Sequence, residues 1–272
     1  MSYNILFQFS QHTKPKAQFT FANYINSQPE IALLKKLSNK TQNECIVISG
    51  KSGSGVTHLL NAICNEFKNH KSVYITAEWL MQLNKINKHA QQLKALVNQF
   101  LKHDFIAIDN IQLLHGKSKA SCLLFTELLK SAHLNHKQII LGCSNSDKDL
   151  SKRKHFVTEY HVKRFELKEP GSSDIYKILK NLCTQEDGIP ERLLYKITNF
   201  NGTVQEHINC LISVRFKSKS LGIDLNKLEE TEYEKHFNLS TFFPKQQFRK
   251  HFIQCQLDFN SLTYSEKQII KI

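Results

Sequence analysis

The chain has 272 residues, 40% hydrophobic and 22% charged, with a formal net charge of +13 from 37 Lys+Arg against 24 Asp+Glu. This composition excludes wholesale disorder, and a chain of this length buries enough surface to fold without disulfide or metal staples. No apolar run approaches the roughly 20 residues of a membrane helix, and no basic-then-apolar leader is legible, so a cytoplasmic protein without a membrane partner is expected. The positive field favours polyanions, DNA foremost, although the lysines are scattered rather than clustered. Seven cysteines, at 45, 64, 122, 143, 183, 210 and 255, include no C-x-x-C pair. They are expected to be reduced and structural.

In chain order, residues 45–49 (CIVIS) form a short β-branched run that predicts a buried strand. Residues 57–67 (THLLNAICNEF) carry apolar side chains at helical spacing. Between them lie Gly50, Gly53 and Gly55, three of only nine glycines in the chain. The unit therefore reads as strand, glycine loop, helix. A second strand is predicted at 72–76, one or two helices over 78–101, a third strand at 105–108 ending on Asp109, a helix at 122–134, a fourth strand at 138–142 and a short fifth at 162–167. Strands alternating with helices imply a parallel sheet covered on both faces. After Pro170 the pattern becomes helical, with helices predicted at 173–184, 191–200, 203–218 and 224–237. The expected organisation is an N-terminal arm (1–17), an α/β domain (18–170), a small helical domain (171–237) and an extension (238–272) that no pattern assigns.

Gly50-Lys51-Ser52-Gly53-Ser54-Gly55-Val56-Thr57 follows the phosphate-binding template G-x-x-x-x-G-K-[ST] except at one position. In such a loop, backbone N–H groups and the next helix N-terminus cradle phosphates, the lysine reaches the β/γ-phosphates and the Ser/Thr hydroxyl holds Mg²⁺. Thr57 is present, but Val56 stands in the lysine's place. Asp109 closes an apolar strand where a second Mg²⁺-holding carboxylate is expected. The following residue, often an acid that orients water, is Asn110, whose amide cannot act as a base. The plainer reading of both features is a glycine turn and a strand-end cap.

These segments resemble the AAA+ family of the bacterial replication initiator DnaA and its regulatory relative Hda. The resemblance runs over about 18–237. It is carried by FTFANYINSQPEIALLKKL (19–37), GKSGSGVTHLLNAI (50–63), KSVYITAEWLMQ (71–82), FIAIDNIQLLHGK (105–117), KQIILGCSN (137–145) and NFNGTVQEHINCLI (199–212). It implies an AAA+ P-loop sheet flanked by helices and followed by a helical lid. It also implies an adenine-nucleotide site built from residues 50–57 with His58, and from Gln205 at the lid's sensor 2 position, with Mg²⁺ held by Thr57 and Asp109. Several departures fall on the γ-phosphate. Val56 replaces the lysine, Asn110 the second acid and Gln205 the sensor 2 arginine, and neither Arg153 nor Arg164 aligns as an arginine finger. ADP or ATP with Mg²⁺ is therefore expected to bind weakly or not at all, and no residue is assigned a catalytic role. Lys51, in the same loop, is the one candidate substitute lysine, against the reading that it is simply solvated.

Asn4, Ile5, Leu6, Phe7 and Phe9 resemble the short sliding-clamp-binding peptide near the start of Hda-type proteins, a polar residue followed by apolar anchors. The plainer reading is a packed arm. No segment of 238–272 resembles the family's DNA-binding helix-turn-helix. Trp79 is expected in the core and Lys85, Lys88, Lys94 and Lys102 on a solvated face. The expectation is a DnaA/Hda-like regulatory or assembly factor in replication initiation, with DnaA or the sliding clamp as partner and the ATPase core kept as a scaffold. Two alternatives stand beside it: a helicase-loader-like adaptor that contacts DNA through its basic surface, and an active ATPase that uses Lys51.

Overall fold

A computed structural model describes residues 13–25, 31, 45–66, 71–86, 90–114, 117–118, 120–143, 162–183 and 188–243. The chain divides into two compact units, Met1–Glu169 and Pro170–Ile272.

In the first unit, β1 (Cys45–Gly50), α1 (Val56–Glu66), β2 (Ser72–Thr76), α2 (Ala77–Ile86), α3 (Ala90–Phe100), β3 (Phe105–Asp109), α4 (Leu123–Leu134), β4 (Gln138–Cys143) and β5 (Val162–Leu167) follow in sequence. The five strands form one parallel sheet in the order β2-β3-β4-β1-β5. The expected α/β sheet is present. The region 78–101 resolves into two helices, α2 and α3, and short 3₁₀ turns stand at Ile111–Leu114 and Ala120–Cys122. β3 and β4 are buried along their whole length, as interior parallel strands must be when helices cover both faces.

The sheet's two faces sort by residue parity, because successive side chains on a strand point to opposite sides. Ile46, Ile48, Tyr74, Phe105, Ala107 and Ile140 pack with α1 through Leu59, Leu60 and Ile63. Val47, Val73, Ile75, Ile106, Ile108, Ile139 and Leu141 pack on the other side with α2, α3 and α4, and Trp79 joins that core. Asp109 continues the parity of Phe105 and Ala107, and Gly142 that of Ile140, so both turn to the α1 face. β1 leads to a far edge strand while β4 leads across β1 to β5. The carboxyl ends of these adjacent strands thus face a topological switch point, where open α/β sheets form their ligand crevice.

Each sheet edge is blunted. β5 carries Lys163, Arg164 and Glu166 on exposed positions, a charged edge that disfavours pairing with another chain. On β2 the Tyr74 amide donates to the Thr13 carbonyl at 3.0 Å. The segment that begins there lies along α1. The Lys16 amide donates to Asn61 Oδ1 at 2.8 Å, and Asn65 Nδ2 donates to the carbonyls of Lys16 and Phe19 at 2.9 and 2.7 Å.

The second unit holds α5 (Ser172–Asn181), α6 (Glu191–Thr198), α7 (Val204–Leu221) and α8 (Glu232–Phe237). Its core is built from Ile175, Leu179, Leu193, Leu194, Ile197 and Leu211 with neighbours on each helix. Helix α7 starts on a capping box between Thr203 and Glu206 and stops at Gly222, whose φ of 64° is left-handed. The helix expected over 224–237 is confined to its last turns. Residues before Glu232 form turns in which the Lys227 amide bonds the Asp224 carbonyl at 3.1 Å, and Leu225 is anchored in the core. Packing also runs past residue 237. Leu239 and Phe243 are buried, and the Phe243 ring stacks on Phe200 at 4.6 Å with 4° between planes. We expect Phe243→Ala to destabilise the helical unit by about 3–5 kcal/mol, the usual cost of deleting a buried aromatic ring. Urea denaturation followed by circular dichroism would check this.

Candidate functional site

The site lies at the carboxyl ends of β1, β3 and β4. The chain leaves β1 at Gly50 and turns back through a bend in which the Ser54 amide donates to the Lys51 carbonyl at 3.0 Å. Gly53 and Gly55 have φ of 85° and 91°, a region that residues with side chains rarely enter. Gly50 is required for a different reason: a Cβ there would lie 2.3 Å from Ser54 Oγ. Ser54 is buried, and its Oγ has no hydrogen-bond partner. The loop therefore keeps the sharp turn of a phosphate cradle, and α1 begins at its end with Val56. Ser52 at the loop's crest is exposed.

What the loop presents departs from that role at one point. Val56 is 6% exposed and belongs to the core of the α1 face. Its Cγ1 would touch a Cβ on Gly142 at 3.1 Å. Where a lysine would carry charge out to an anion, this side chain is packed inward against the sheet. Lys51 lies on the surface of the loop. Its Nζ pairs with Glu169 Oε2 at 3.2 Å, with the two side chains 72% and 56% exposed, a solvated surface pair.

The polar centre is intact. Asp109 is 2% exposed. Its Oδ2 accepts from Thr57 Oγ1 at 2.7 Å and from the Tyr74 hydroxyl at 2.8 Å, and its Oδ1 accepts from the Asn110 amide at 2.8 Å. Thr57 itself is exposed, while the bond from its hydroxyl to the buried carboxylate is partly buried. Burial, with the Asp109 carboxylate second, holds the Tyr74 phenol well above its ordinary pKa. The phenol is a neutral donor throughout the working pH range. Asn110 is left-handed, with φ of 58°. Its side-chain amide donates to Glu78 Oε1 at 3.2 Å, while Glu78 Oε2 is buried without a hydrogen-bond partner. A carboxylate thus sits beside Asn110, contributed by the β2–α2 junction.

The segment before β1 reaches the loop from outside. The Tyr24 hydroxyl donates to the Ser54 carbonyl at 3.1 Å, and its ring lies so close to Gly55 that a Cβ there would meet it at 2.7 Å. His58 is held between Phe19 and Tyr24, with ring centroids 4.7 and 5.2 Å away. Its Nε2 lies 3.0 Å from both the Thr20 carbonyl and Asn23 Oδ1. Both partners are acceptors, so that nitrogen carries the proton. Burial lowers the His58 pKa against the opposing pull of the Thr20 carbonyl.

The structure thus brings residues 50–57 and Asp109 together around one carboxylate, with His58 on the outer side of α1. Gln205 lies in the helical unit, exposed on the first turn of α7, donating to Asn209 Oδ1 at 2.8 Å. Asn4, Ile5, Leu6, Phe7, Phe9 and Arg153 lie outside the described residues. Tyr74, Glu78 and Tyr24 are missing from the sequence reading. The legible signal for Tyr74 is a phenol in a strand otherwise made of aliphatic and small residues, on the same parity as Asp109. The donor set fits the metal half of a Mg²⁺–nucleotide site, a hydroxyl and a carboxylate 2.7 Å apart. The loop beside it has the glycine turn of the phosphate-binding template, with Val56 buried at the template's lysine position.

A family model described as the bacterial DnaA ATPase domain matches residues 16–166. The chromosomal replication initiator protein DnaA of Helicobacter hepaticus is 26% identical over 237 residues, covering 80% of this chain and 51% of that protein. The chain thus spans about half the length of this relative. Domain III of DnaA from Thermotoga maritima superposes with a TM-score of 0.67 at 22% identity, over 86% of this chain and 100% of that one. AMPPCP-bound DnaA from Aquifex aeolicus does so with a TM-score of 0.65 at 19% identity, over 83% and 71%.

If the glycine loop admits phosphate, Val56→Lys is expected to raise affinity for ADP or ATP about tenfold, the worth of one charge-assisted hydrogen bond. The gain should fall when Thr57→Ala is added in the presence of Mg²⁺. Isothermal titration of both variants against the parent checks it. Undetectable binding in all three folded proteins would mean that the loop no longer admits phosphate.

Proposed function

The chain belongs to the bacterial DnaA ATPase-domain family, and from that membership we propose that it is a regulatory or assembly factor in the initiation of chromosomal DNA replication. It acts through protein contacts, with weak or no nucleotide hydrolysis. The observation that supports this most directly is the burial of Val56, at 6% exposure, in the core of the α1 face. The position that ought to engage the β/γ-phosphates serves packing instead. Asn110 in place of an acid and an uncharged Gln205 weaken the same step, and the surface pairing of Lys51 with Glu169 speaks against an atypical P-loop lysine. One lost charge-assisted bond is worth about 1.5–3 kcal/mol, so two such losses leave ADP or ATP binding weak. If bound, Mg²⁺ would be held by Thr57 and Asp109 and would supply charge neutralisation at the phosphates.

On this reading the α/β sheet and helical unit are a scaffold, and the partners are DnaA itself, the sliding clamp or both. The +13 charge favours an added contact with DNA along basic surface, to which the exposed Lys85, Lys94 and Lys102 would contribute. Clamp recognition would fall to Asn4, Ile5, Leu6, Phe7 and Phe9, in which a polar first residue and apolar anchors suit a pocket on the partner.

Purified protein is expected to hydrolyse ATP at background. A turnover above about 0.1 per second, the low end of ordinary enzymes, that disappears in Asp109→Ala would overturn the scaffold reading. For the clamp, the double change Leu6→Ala with Phe7→Ala should abolish binding in a pulldown while leaving the melting temperature in place. A large drop in melting temperature would identify the segment as core instead.

A further inference from the structure

We propose that Tyr74 is a positioning residue: its hydroxyl occupies Asp109 Oδ2 so that this buried carboxylate stays satisfied and aligned with Thr57 in the absence of Mg²⁺ and nucleotide. This rests on the scaffold reading above and supplies its physical means. A core derived from a nucleotide-binding fold must bury the strand-end aspartate whether or not a ligand arrives. An ionised carboxylate removed from water without donors is among the costliest groups a core can hold.

Three donors come from the chain itself. Thr57 Oγ1 and the Tyr74 hydroxyl converge on Oδ2 at 2.7 and 2.8 Å, and the Asn110 amide meets Oδ1 at 2.8 Å. β4 passes close to Oδ1: a Cβ on Gly142 would lie 2.7 Å from that oxygen and 2.3 Å from Leu60 Cδ1. Charge-assisted O–H donors of this length are the stronger kind.

The placement of Tyr74 follows from the sheet. In the β2–β3 register Tyr74 is opposite Ala107 and Thr76 opposite Asp109. Tyr74 and Asp109 therefore share a face and stand diagonal to each other, one pair apart. An aromatic side chain spans that diagonal and a shorter one does not. Its ring lies in the core of the α1 face, and its backbone amide is fixed by the Thr13 carbonyl at 3.0 Å. The ring is thus held from both ends, with the hydroxyl presented to Asp109. A phenol serving only as filler would need none of this aim, and phenylalanine would fill the same volume.

A residue that keeps Asp109 satisfied without metal should reveal itself by making stability depend on metal once it is gone. The test is thermal melting of the parent and Tyr74→Phe in EDTA, in millimolar Mg²⁺ alone, and in Mg²⁺ with ADP. In EDTA, Tyr74→Phe should melt about 4–8 °C below the parent, the effect of losing one donor to a charged group in a domain of this size. Mg²⁺ with ADP should raise the variant more than it raises the parent and recover at least half the loss. A variant that melts with the parent in EDTA overturns the proposal. So does one whose deficit is the same in every buffer although titration shows Mg²⁺ with ADP bound, because a hydroxyl that only packs would give a metal-independent loss. Where nothing binds, the Tyr74→Phe change in Asp109→Asn decides instead. A rise of the parent with Mg²⁺ and ADP is the weak binding that the scaffold reading allows; that reading stands or falls on turnover, and Tyr74 is judged by the difference between the two shifts. Should Tyr74→Phe not fold, the same change is made in Asp109→Asn, whose amide does not need a second hydroxyl. Little further loss there supports the proposal, and an undiminished loss or renewed failure to fold overturns it.

Discussion

The first unit depends on one buried carboxylate. Asp109 ends the strand that lies between β2 and β4, turned to the face that α1 covers. Its three donors come from three parts of the chain: the first turn of α1, the middle of β2 and the residue that follows β3. Those bonds fix the rotation of α1 on the sheet, because Thr57 reaches Oδ2 only if Val56 points inward and Leu59 and Leu60 meet the strands. Asn110, whose amide folds back on Oδ1, is itself left-handed, φ 58°. Apolar contact alone would leave the helix free to shift by a fraction of a turn. A buried charge does not tolerate that freedom, because an unmade bond to it costs far more than a displaced methyl group.

Val56 belongs to the same account. A lysine at the head of α1 must keep its charge out of the sheet, and its head group then needs an anion or solvent. Valine removes that requirement and adds its side chain to a core that already contains Ile46, Ile48 and Ile140. Valine therefore suits the ligand-free loop, and on the proposed reading it would weaken a ligand-bound one. Gly142 shows how closely that loop is fitted, since Leu60, Asp109 and Val56 all fall within contact of the space above its Cα. The loop's geometry is inherited by packing: glycines at 53 and 55 supply the turn, glycines at 50 and 142 supply the clearance, and neither function requires phosphate.

Much of the first unit is legible in the sequence because its strands are interior and parallel. A strand buried on both faces must be an apolar run, and 45–49, 72–76, 105–108 and 138–142 stand out against their surroundings for that reason alone. The glycine loop is legible because glycine is scarce elsewhere. Thr57 and Asp109 follow from their places at a helix start and a strand end. Tyr74 does not, because its partner is set by the register between two strands far apart in sequence. Glu78 is hidden for the same reason: its neighbour Asn110 comes from another strand end. In the helical unit, 224–231 has a residue mix that suits a helix, yet Leu225 is fixed in the core by turns, and tertiary anchoring overrides local propensity. The burial of Leu239 and Phe243 was illegible because two isolated apolar residues show no period.

Fold and chemistry can separate in this architecture because they use different atoms of the same residues. The sheet needs the backbone of residues 45–50 and 105–109, the parity of their side chains and a satisfied Asp109. On the proposed reading, hydrolysis would also need a lysine above the loop and an acid after Asp109. Neither position carries packing that would defend such a residue: Val56 is buried in the core of the α1 face, and the Asn110 amide meets Glu78 at 3.2 Å. Each residue is locally satisfied, so either can be held without the other. Thr57 and Asp109 are different. Removing either leaves a buried oxygen or a buried charge without its partner, and the core itself bears the cost. An intact Thr–Asp pair is for that reason a statement about folding before it is one about metal or catalysis.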